Sequence, residues 1–573
     1  MIDRPAVQRC GPMTLGQIAQ LTELEDIALR APESVWTRNL VLRWPLPERL
    51  RVSSVTAALR LLAERHEAIR TTFATNAQGD PYQSVHAPGE EVIEVVDYAA
   101  HSADDRLVGG GFVSARAHSA RRQPLALDAS PPIRFEVLAD CGRAREVLAV
   151  THHIVADART SQLLHQELLL IARALEHGEP PPPGRPRKQP IDVAMAQLPD
   201  TAKWDQLARW RDAVESAPPT QMPVLIDDLR DSSYTATFES TALQHTLSDL
   251  AQRHRMLPAQ ILLGLYTFAM AHYTGLSATV ICIISSNRFA YPSAVHCCAL
   301  RIPCVVPAAA NIRDILPGVR DATTNMYRNA DYDARELGRL LAAHQAATGF
   351  NTRFRLEFNF FTGGLSGGPT LVSEGSAHCR PGVFRYEVTQ PADPSLTYLE
   401  ARPGNDRSPT VLRLESNEAF IPLPTAEALL RCVEALAGEL SADDSAGGSK
   451  CPMPSPPASV LGSWQDQLAA ARRPQGRATG SLARYHNGLV DTVRVARAVQ
   501  AELGGGVPVS VEIRGRGTEC ERLVAVLPTV LEPSGVDALR VSLQHRARRD
   551  AALVVPQEFV CLTPLSAPGQ WTP

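Results

Sequence analysis

The sequence has little lysine and no strong charge imbalance. Lysine occurs only at Lys188, Lys203 and Lys450, so arginine supplies nearly all of the positive charge, a bias from which no function follows. The formal net charge of the 573 residues is -4. This balance gives no electrostatic reason to expect nucleic acid or an anionic membrane as a partner. Partners must therefore be recognised at particular sites.

The sequence also lacks paired cysteines. Its eleven cysteines are odd in number and irregularly spaced, and no CxxC pair is present. This spacing argues against a zinc site. We therefore expect reduced thiols and no bound metal.

No hydrophobic run is long enough to suggest secretion or a membrane span. Residues 1–17 lack the apolar stretch of a signal peptide. The one long uncharged stretch, residues 256–287, is interrupted by polar residues and glycine at 272–277. A buried helix followed by a buried strand explains it better, and we expect a cytoplasmic protein.

What the sequence does contain is a globular pattern of alternating helices and strands. Hydrophobic residues make up 44% of the chain, and its length suggests two or three domains. Apolar spacing predicts helices, and shorter apolar or alternating runs predict strands. An α/β or α+β architecture follows. The helices are predicted over residues 55–65, 160–177, 259–273 and 425–440, and the strands over 147–152, 279–285 and 353–361.

Two breaks divide this pattern. Residues 180–190 are dense in proline and cannot sustain a regular element, which indicates an extended connection inside a domain. Residues 441–459 collect Ser, Asp, Gly and Pro, as expected of a flexible linker. We therefore predict a first domain of two halves, a linker and a small C-terminal domain. The predicted bounds are 11–185 and 186–442 for the halves, 443–460 for the linker and 461–573 for the last domain.

The most informative segment is His152-His153-Ile154-Val155-Ala156-Asp157, between a predicted strand and a predicted helix. An imidazole at such a junction could take the proton from an attacking amine or alcohol, because its pKa lies near working pH. It could instead orient the nucleophile and stabilise the charge that develops on it. Taken alone, two histidines and an aspartate are weak evidence and are as well explained by a structural pair.

Further segments in the same order strengthen the signal. Residues 65–73, RHEAIRTTF, match the pattern RHExLRTxF, and residues 152–158 match HHxxxDG with Ala158 in place of glycine. Residues 11–17, 272–275, 287–288, 329–332 and 358–360 add shorter matches. Together they resemble the condensation domains of non-ribosomal peptide synthesis. The resemblance implies two chloramphenicol-acetyltransferase-like halves that form a V, with a tunnel in which two pantetheine-borne substrates meet.

The resemblance also assigns roles to residues. It implies that His153 is the active-site residue and that His152 is mainly structural. It implies that Asp157 holds the motif loop through an ion pair, for which Arg288 is the candidate partner. Ala158 departs from the pattern: its methyl group adds bulk and disfavours a positive φ. The resemblance places the hydroxyls of Thr160 and Ser161 near the family's usual serine, and they are at least as well interpreted as helix N-caps.

The largest departure lies at residues 295–301, VHCCALR, where the family pattern resembles VGxFVNT. This element contributes to the crossing between the halves, so substrate geometry is expected to differ. No histidine paired with Cys297 or Cys298 is evident from the sequence, which makes a cysteine nucleophile a minor hypothesis.

Residues 483–573 resemble the small lid that ends an adenylation domain, with LVVPQEFV at 553–560 and PLSAPGQ at 564–570. Gln570 stands where the family has a lysine that contacts the acyl-adenylate, and a neutral amide cannot supply that charge. No adenylation core precedes this segment. We therefore expect a degenerate lid without ATP-dependent activity.

The resemblance predicts a condensation enzyme of natural-product biosynthesis. It would join a carrier-bound acyl or aminoacyl thioester to an amine or alcohol, with no covalently bound cofactor of its own. Substrates would arrive on the phosphopantetheine of carrier proteins supplied in trans. Two alternatives stay open: an acyltransferase that uses acyl-CoA, and a catalytically degenerate scaffold that recruits carrier proteins.

Overall fold

The N-terminal residues form an edge strand and the helix that lies beside the candidate site. A computed structural model shows β1, Val7–Pro12, followed by α1, Leu15–Arg30, whose N-terminus is closed by a capping box between Thr14 and Gln17. A 3₁₀ helix, Pro32–Arg38, leads into the first main strand. The structure describes residues 6–89, 93–97, 111–184, 187–198, 207, 210–211, 213–215, 233–327, 330–349, 356–361, 382–389, 396–404, 408–443, 482–485, 488–518, 520–528, 531–549 and 553–562.

The first half of the chain is a four-stranded sheet covered by helices. Its strand order is β2-β7-β6-β5, and a separate three-stranded sheet has the order β1-β4-β3. Apolar side chains of α2 and α4 pack on the larger sheet and form one buried core with it. The elements are β2 (Asn39–Arg51), α2 (Val52–Arg65), β3 (Thr71–Thr75), β4 (Pro81–His86), β5 (Ile93–Asp97), α3 (Gly111–Arg122), β6 (Ile133–Asp140), β7 (Arg143–His152), α4 (Ala158–Glu176) and α5 (Pro190–Gln197).

Helix α5 packs on the first half, although the predicted boundary places it in the second. Arg9 pairs with Asp192 over 3.0 Å, and the Gln189 side chain just before the helix donates to the carbonyl of Arg65 over 3.2 Å. Pro190 occupies the first turn of this helix, where its missing N–H costs nothing. The proline-rich connection therefore ends in a helix of the first half.

The second half is a seven-stranded mixed sheet in the order β10-β9-β11-β13-β14-β8-β12. Helices on its apolar face complete a second buried core, which includes most side chains of the largely apolar helix α7 (Pro258–Thr274). The elements are β8 (Ser233–Ser240), α6 (Thr241–His254), α7 (Pro258–Thr274), β9 (Ala278–Ser285), β10 (Leu300–Pro307), α8 (Ile312–Tyr327), α9 (Ala334–Thr348), β11 (Leu356–Phe360), β12 (Val383–Val388), β13 (Thr397–Arg402), β14 (Thr410–Asn417) and α10 (Leu423–Asp443).

The C-terminal residues form a separate small α+β unit with its own core. A three-stranded sheet in the order β17-β18-β19 is flanked by two helices, and a short hairpin precedes it. Its elements are β15 (Leu482–Tyr485), β16 (Gly488–Asp491), α11 (Thr492–Glu502), β17 (Ser510–Arg514), β18 (Arg522–Leu527), α12 (Pro533–Arg549) and β19 (Glu558–Cys561).

The predicted elements exist in the described chain, and the differences lie at their ends. Helix α10 continues through Asp443, so the first residues of the predicted linker are helical. The rest of that linker and Gln570 lie outside the described residues. In the C-terminal unit the helix begins at Thr492 because the preceding residues pair as a strand and Asp491 caps it. The mixed α/β class predicted from the sequence is confirmed.

Candidate active site

The segment singled out in the sequence forms the turn between β7 and α4. Strand β7 ends at His152 in the middle of the first-half sheet, where Asn39 of β2 is its register partner. The N–H of Val155 donates to the carbonyl of His152 over 3.0 Å and closes the turn. The side chains of Ile154 and Val155 are buried in the first-half core. Burial of these apolar residues fixes the turn, whereas His153 is only partly buried.

The side chain of His152 hydrogen-bonds to the main chain of this turn. Its Nδ1 accepts the N–H of Ile154 over 3.1 Å, so the ring proton must lie on Nε2. Burial, and then the neighbouring charges of His153 and Arg38, lowers the pKa of His152 to about 3. A neutral imidazole that accepts a main-chain hydrogen bond stabilises the turn.

His153 is the histidine with an accessible side chain, since it is only partly buried whereas His152 is buried. Its main-chain N–H donates to the carbonyl of Arg38 over 2.8 Å. Burial and then the positive charge of Arg38 lower the pKa of His153, while a hydrogen bond to its own main chain, Asp157 and Glu23 act in the opposite direction. The imidazole is therefore neutral near pH 7 and can accept a proton.

Asp157 ends the turn and begins the next helix. Its Oδ1 accepts the N–H of Thr160 over 2.8 Å and so caps α4. The same oxygen lies 2.6 Å from Nη2 of Arg288, and Oδ2 accepts the N–H of Cys298 over 3.0 Å. Burial alone would raise the pKa of Asp157, but Arg288 and the two N–H donors hold it below its ordinary value. The ion pair expected between Asp157 and Arg288 is present.

Arg288 anchors the loop that crosses from the second half. It follows β9, and its guanidinium donates to the carbonyls of Ala294 and His296 over 2.6 and 2.9 Å and to the hydroxyl of Thr160 over 2.8 Å. Asn287 before it has a φ of 45°, a left-handed conformation that asparagine tolerates. The side chain of Arg288 is buried.

Two predictions near the motif are corrected. Thr160 and Ser161 are not N-caps, because Asp157 occupies that position. The hydroxyl of Thr160 donates to the carbonyl of His296 over 2.7 Å, and that of Ser161 accepts the indole N–H of Trp44 over 3.0 Å. Ala158 is the first residue of α4 and has no positive φ, so the expected backbone conflict does not arise.

The departure at residues 295–301 places a thiol beside the candidate histidine. Sγ of Cys297 lies 3.7 Å from Nδ1 of His153, a neighbour that the sequence did not reveal. Burial raises the pKa of the Cys297 thiol well above its ordinary value, and Asp157 adds to this. The thiol is therefore protonated and inaccessible, which argues against a nucleophilic role.

Residues 295–301 also pack between the two halves. The main chain of Gly16 in α1 lies so close to it that a Cβ there would overlap the carbonyl oxygen of Cys297. Leu15 and Leu300 share a small buried cluster with residues of the second half. The loop thus packs on α1 while its backbone is held by Asp157.

Four charged residues near the site were missed in the sequence. Glu23 pairs with Arg38 over 2.6 Å and with Arg301, whose Nε lies 2.7 Å from Glu357. Glu23 and Arg301 belong to different halves. A signal existed only for Arg301, a charge at the end of the otherwise uncharged 295–300 run. Within the described residues, no group of His, Cys, Asp and Glu could hold a metal ion.

The two cores and the histidine turn that faces the second-half loop define the chloramphenicol-acetyltransferase-like class of fold. A family model, Condensation domain, matches residues 29–362, more than half of the chain. The chain belongs to the condensation domain family.

Curated relatives are large synthetases. The chondramide synthase of Chondromyces crocatus is 25% identical over 258 residues, which cover 44% of this chain and 6% of that protein. The beauvericin nonribosomal cyclodepsipeptide synthetase of Beauveria bassiana is 27% identical over 262 residues, covering 42% of this chain and 8% of that protein. The matched region spans less than a tenth of the length of these relatives.

Solved structures show the same fold. A condensation domain that mediates chain release from the enacyloxin polyketide synthase has a TM-score of 0.60 at 17% identity, covering 79% of this chain and 87% of that one. The X-domain from teicoplanin biosynthesis has a TM-score of 0.56 at 19% identity, covering 78% and 97%. Among the described residues, no helix is both long and apolar enough to cross a membrane.

Proposed function

We propose that the chain is a condensation enzyme of non-ribosomal peptide or related natural-product biosynthesis. It joins an acyl or aminoacyl thioester on a carrier protein to an amine or alcohol. The observation that supports this most directly is His153: a neutral, partly accessible imidazole on a rigid turn, facing the loop that crosses from the second half. Membership of the family supplies the reaction class.

In this proposal the amine or alcohol attacks the thioester carbonyl carbon, and the C–S bond breaks as the C–N or C–O bond forms. The nucleophile loses one proton, and the thiolate of the carrier leaves and takes up one. His153 accepts the proton of the nucleophile, or orients the nucleophile and stabilises its developing charge. Asp157 and Arg288 support the turn without contacting the substrates.

The donor carrier distinguishes this function from that of an acyl-CoA acyltransferase. Purified full-length protein should be incubated with one acyl group presented on a carrier protein and as its coenzyme A thioester, together with a panel of amines and alcohols. Mass spectrometry should find amide or ester product with the carrier-bound donor in preference to the CoA thioester. Turnover with the CoA thioester alone would favour the acyltransferase alternative.

We also propose that residues 461–573 form a degenerate adenylation-type lid. The sheet β17-β18-β19 with α11 and α12 supports this reading, together with the sequence resemblance. The chain should show no amino-acid-dependent exchange of pyrophosphate into ATP. Detection of such exchange would contradict a degenerate lid.

A further inference from the structure

A chain of charged side chains runs from the second-half sheet to the turn that carries His153. Glu357 of β11 pairs with Arg301 of β10, Arg301 pairs with Glu23 of α1, and Glu23 pairs with Arg38. The side chains of Glu23 and Arg38 are each only 16% exposed. The alternating charges attract one another, and this attraction offsets part of the free-energy cost of burying them.

The chain of charges ends at the candidate active site. Arg38 holds the main chain of His153, because its carbonyl accepts the His153 N–H over 2.8 Å. Its guanidinium also acts on the imidazole, since it is the largest contribution after burial that lowers the pKa of His153. Glu23 acts on the same ring in the opposite direction. Although burial acts to raise it, Arg301 and Arg38 hold the pKa of Glu23 at about 2, so this carboxylate is ionised.

Three other titratable groups lie near His153. Asp157, at the start of α4, is ionised but compensated by Arg288 over 2.6 Å. His152 is neutral, with its pKa lowered to about 3 chiefly by burial. Cys297, from the crossing loop, is protonated because burial raises its pKa well above the ordinary value. Asp157 and Glu23 therefore favour the protonated ring, and Arg38 is the charge that opposes them.

We propose that Arg38, Glu23 and Arg301 are positioning residues that tie His153 to both halves and together set the ionisation of its imidazole. Arg38 supplies the main-chain acceptor and opposes protonation of the ring. Glu23 anchors Arg38, and Arg301 anchors Glu23 from the second half. The consequence for catalysis rests on the proposed function, but the ionisation of His153 is measurable without any substrate.

The test is an NMR titration of the full-length chain labelled with ¹³C at histidine Cε1. The His153 signal is assigned by its loss in His153→Gln. In Arg38→Gln the titration midpoint should rise, because a nearby positive charge is removed and Glu23 keeps only Arg301 as its partner. In Glu23→Gln the midpoint should fall, because the negative charge that favours the imidazolium is removed. Arg38→Lys keeps the charge and should titrate near the wild-type midpoint.

Two further variants control for folding and for a purely structural effect. Arg301→Gln removes the second-half anchor and should also raise the midpoint, so the proposal stays testable if Arg38→Gln does not fold. Arg43→Gln removes an arginine from a pair with Glu146 (2.6 Å) on β2 and β7 and should leave the midpoint unchanged. A structural role alone would not move the midpoint in opposite directions in Arg38→Gln and Glu23→Gln.

Unmoved midpoints, or shifts in the same direction in those two variants, would overturn the proposal. If the wild-type protein makes product, the acid limb of its pH–rate profile should move with the midpoint in each variant. Product formation with unmoved midpoints would contradict the positioning role and leave the proposed function standing. Midpoints that move as expected in a protein without product would contradict only the proposed function.

Discussion

Arg288 donates to Asp157 over 2.6 Å, although 131 positions separate the two residues and both are buried. The carboxylate also caps α4 and accepts the N–H of Cys298. The Asp157 side chain therefore links the histidine turn, the helix after it and the loop from the second half. Charge-assisted hydrogen bonds of this length are among the stronger polar interactions in proteins.

Asp157→Ala should lower both stability and activity. The substitution strands the buried Arg288 guanidinium and removes the cap, and the loss of one member of a buried pair costs about 3–5 kcal/mol of unfolding free energy. Denaturant unfolding checks this value. The control Asp333→Ala removes the N-cap of α9, where the carboxylate is less buried, and should cost only about 1 kcal/mol. A well-folded Asp157→Ala protein with wild-type stability would show that the ion pair does not stabilise the fold.

Gly16→Ala should disturb the contact between α1 and the crossing loop. The added methyl group would overlap the carbonyl of Cys297, and backbone cannot give way as a side chain can. We expect a loss of about 1–3 kcal/mol in unfolding free energy. The matched control is Gly338→Ala within α9, where the methyl group meets nothing within 4 Å. Equal stability of the two variants would show that the close approach imposes no constraint.

Cys297→Ala should retain most of the condensation activity. The thiol lies 3.7 Å from His153 but is buried and protonated, whereas a nucleophilic cysteine needs an accessible thiolate. Cys432→Ala is the matched control, because that thiol is also buried, with its pKa raised by burial to about 12. An acyl adduct on Cys297 in intact-mass spectra would instead establish a covalent mechanism, and a loss as large as that of His153→Ala would show that the thiol is required.

Acid should destabilise the fold before its carboxylates titrate. Burial lowers the pKa of His152 to about 3 and that of His296 to about 4, whereas both histidines titrate near 6.5 in the unfolded chain. Below about pH 6.5 the unfolded chain binds the extra protons, so stability falls as pH falls. Each histidine contributes a slope of about 1.4 kcal/mol per pH unit.

Denaturant unfolding between about pH 6 and pH 5.5 measures this slope above the range in which most unfolded carboxylates take up protons. His296→Asn should give a shallower slope by about one proton. If the wild-type slope over this window were flat, the two histidines would not be buried in the neutral form.

Local signals made much of the architecture predictable. The uncharged, mainly apolar run of α7 and the apolar strands β7 and β9 are read directly from the order of residue types. The histidine turn was predictable for the same reason, since its strand, turn and helix are contiguous. Asp157 and Arg288 could be paired only through the family resemblance, because no local pattern joins residues so far apart in the chain.

The surroundings of His153 could not be predicted, because they depend on how the two halves meet. Cys297 approaches the ring through a loop that departs from the family pattern. Glu23 and Arg38 lie in a helix and a 3₁₀ helix whose sequences look ordinary. These two residues become part of a larger set of ion pairs only because Arg301 of the second half pairs with Glu23. Tertiary ion pairs of this kind leave no periodic signal in a single sequence.

We propose that His153 serves the condensation step. The most direct test compares His153→Ala with His165→Ala, which removes a half-buried histidine of α4 whose ring binds the carbonyl of Pro45. With a carrier-bound acyl donor and a nucleophile that the wild-type protein accepts, mass spectrometry should show a loss of about 10²–10⁴-fold in His153→Ala. The His165→Ala variant should stay near wild type. Equal product from His153→Ala and the wild-type protein would contradict the account.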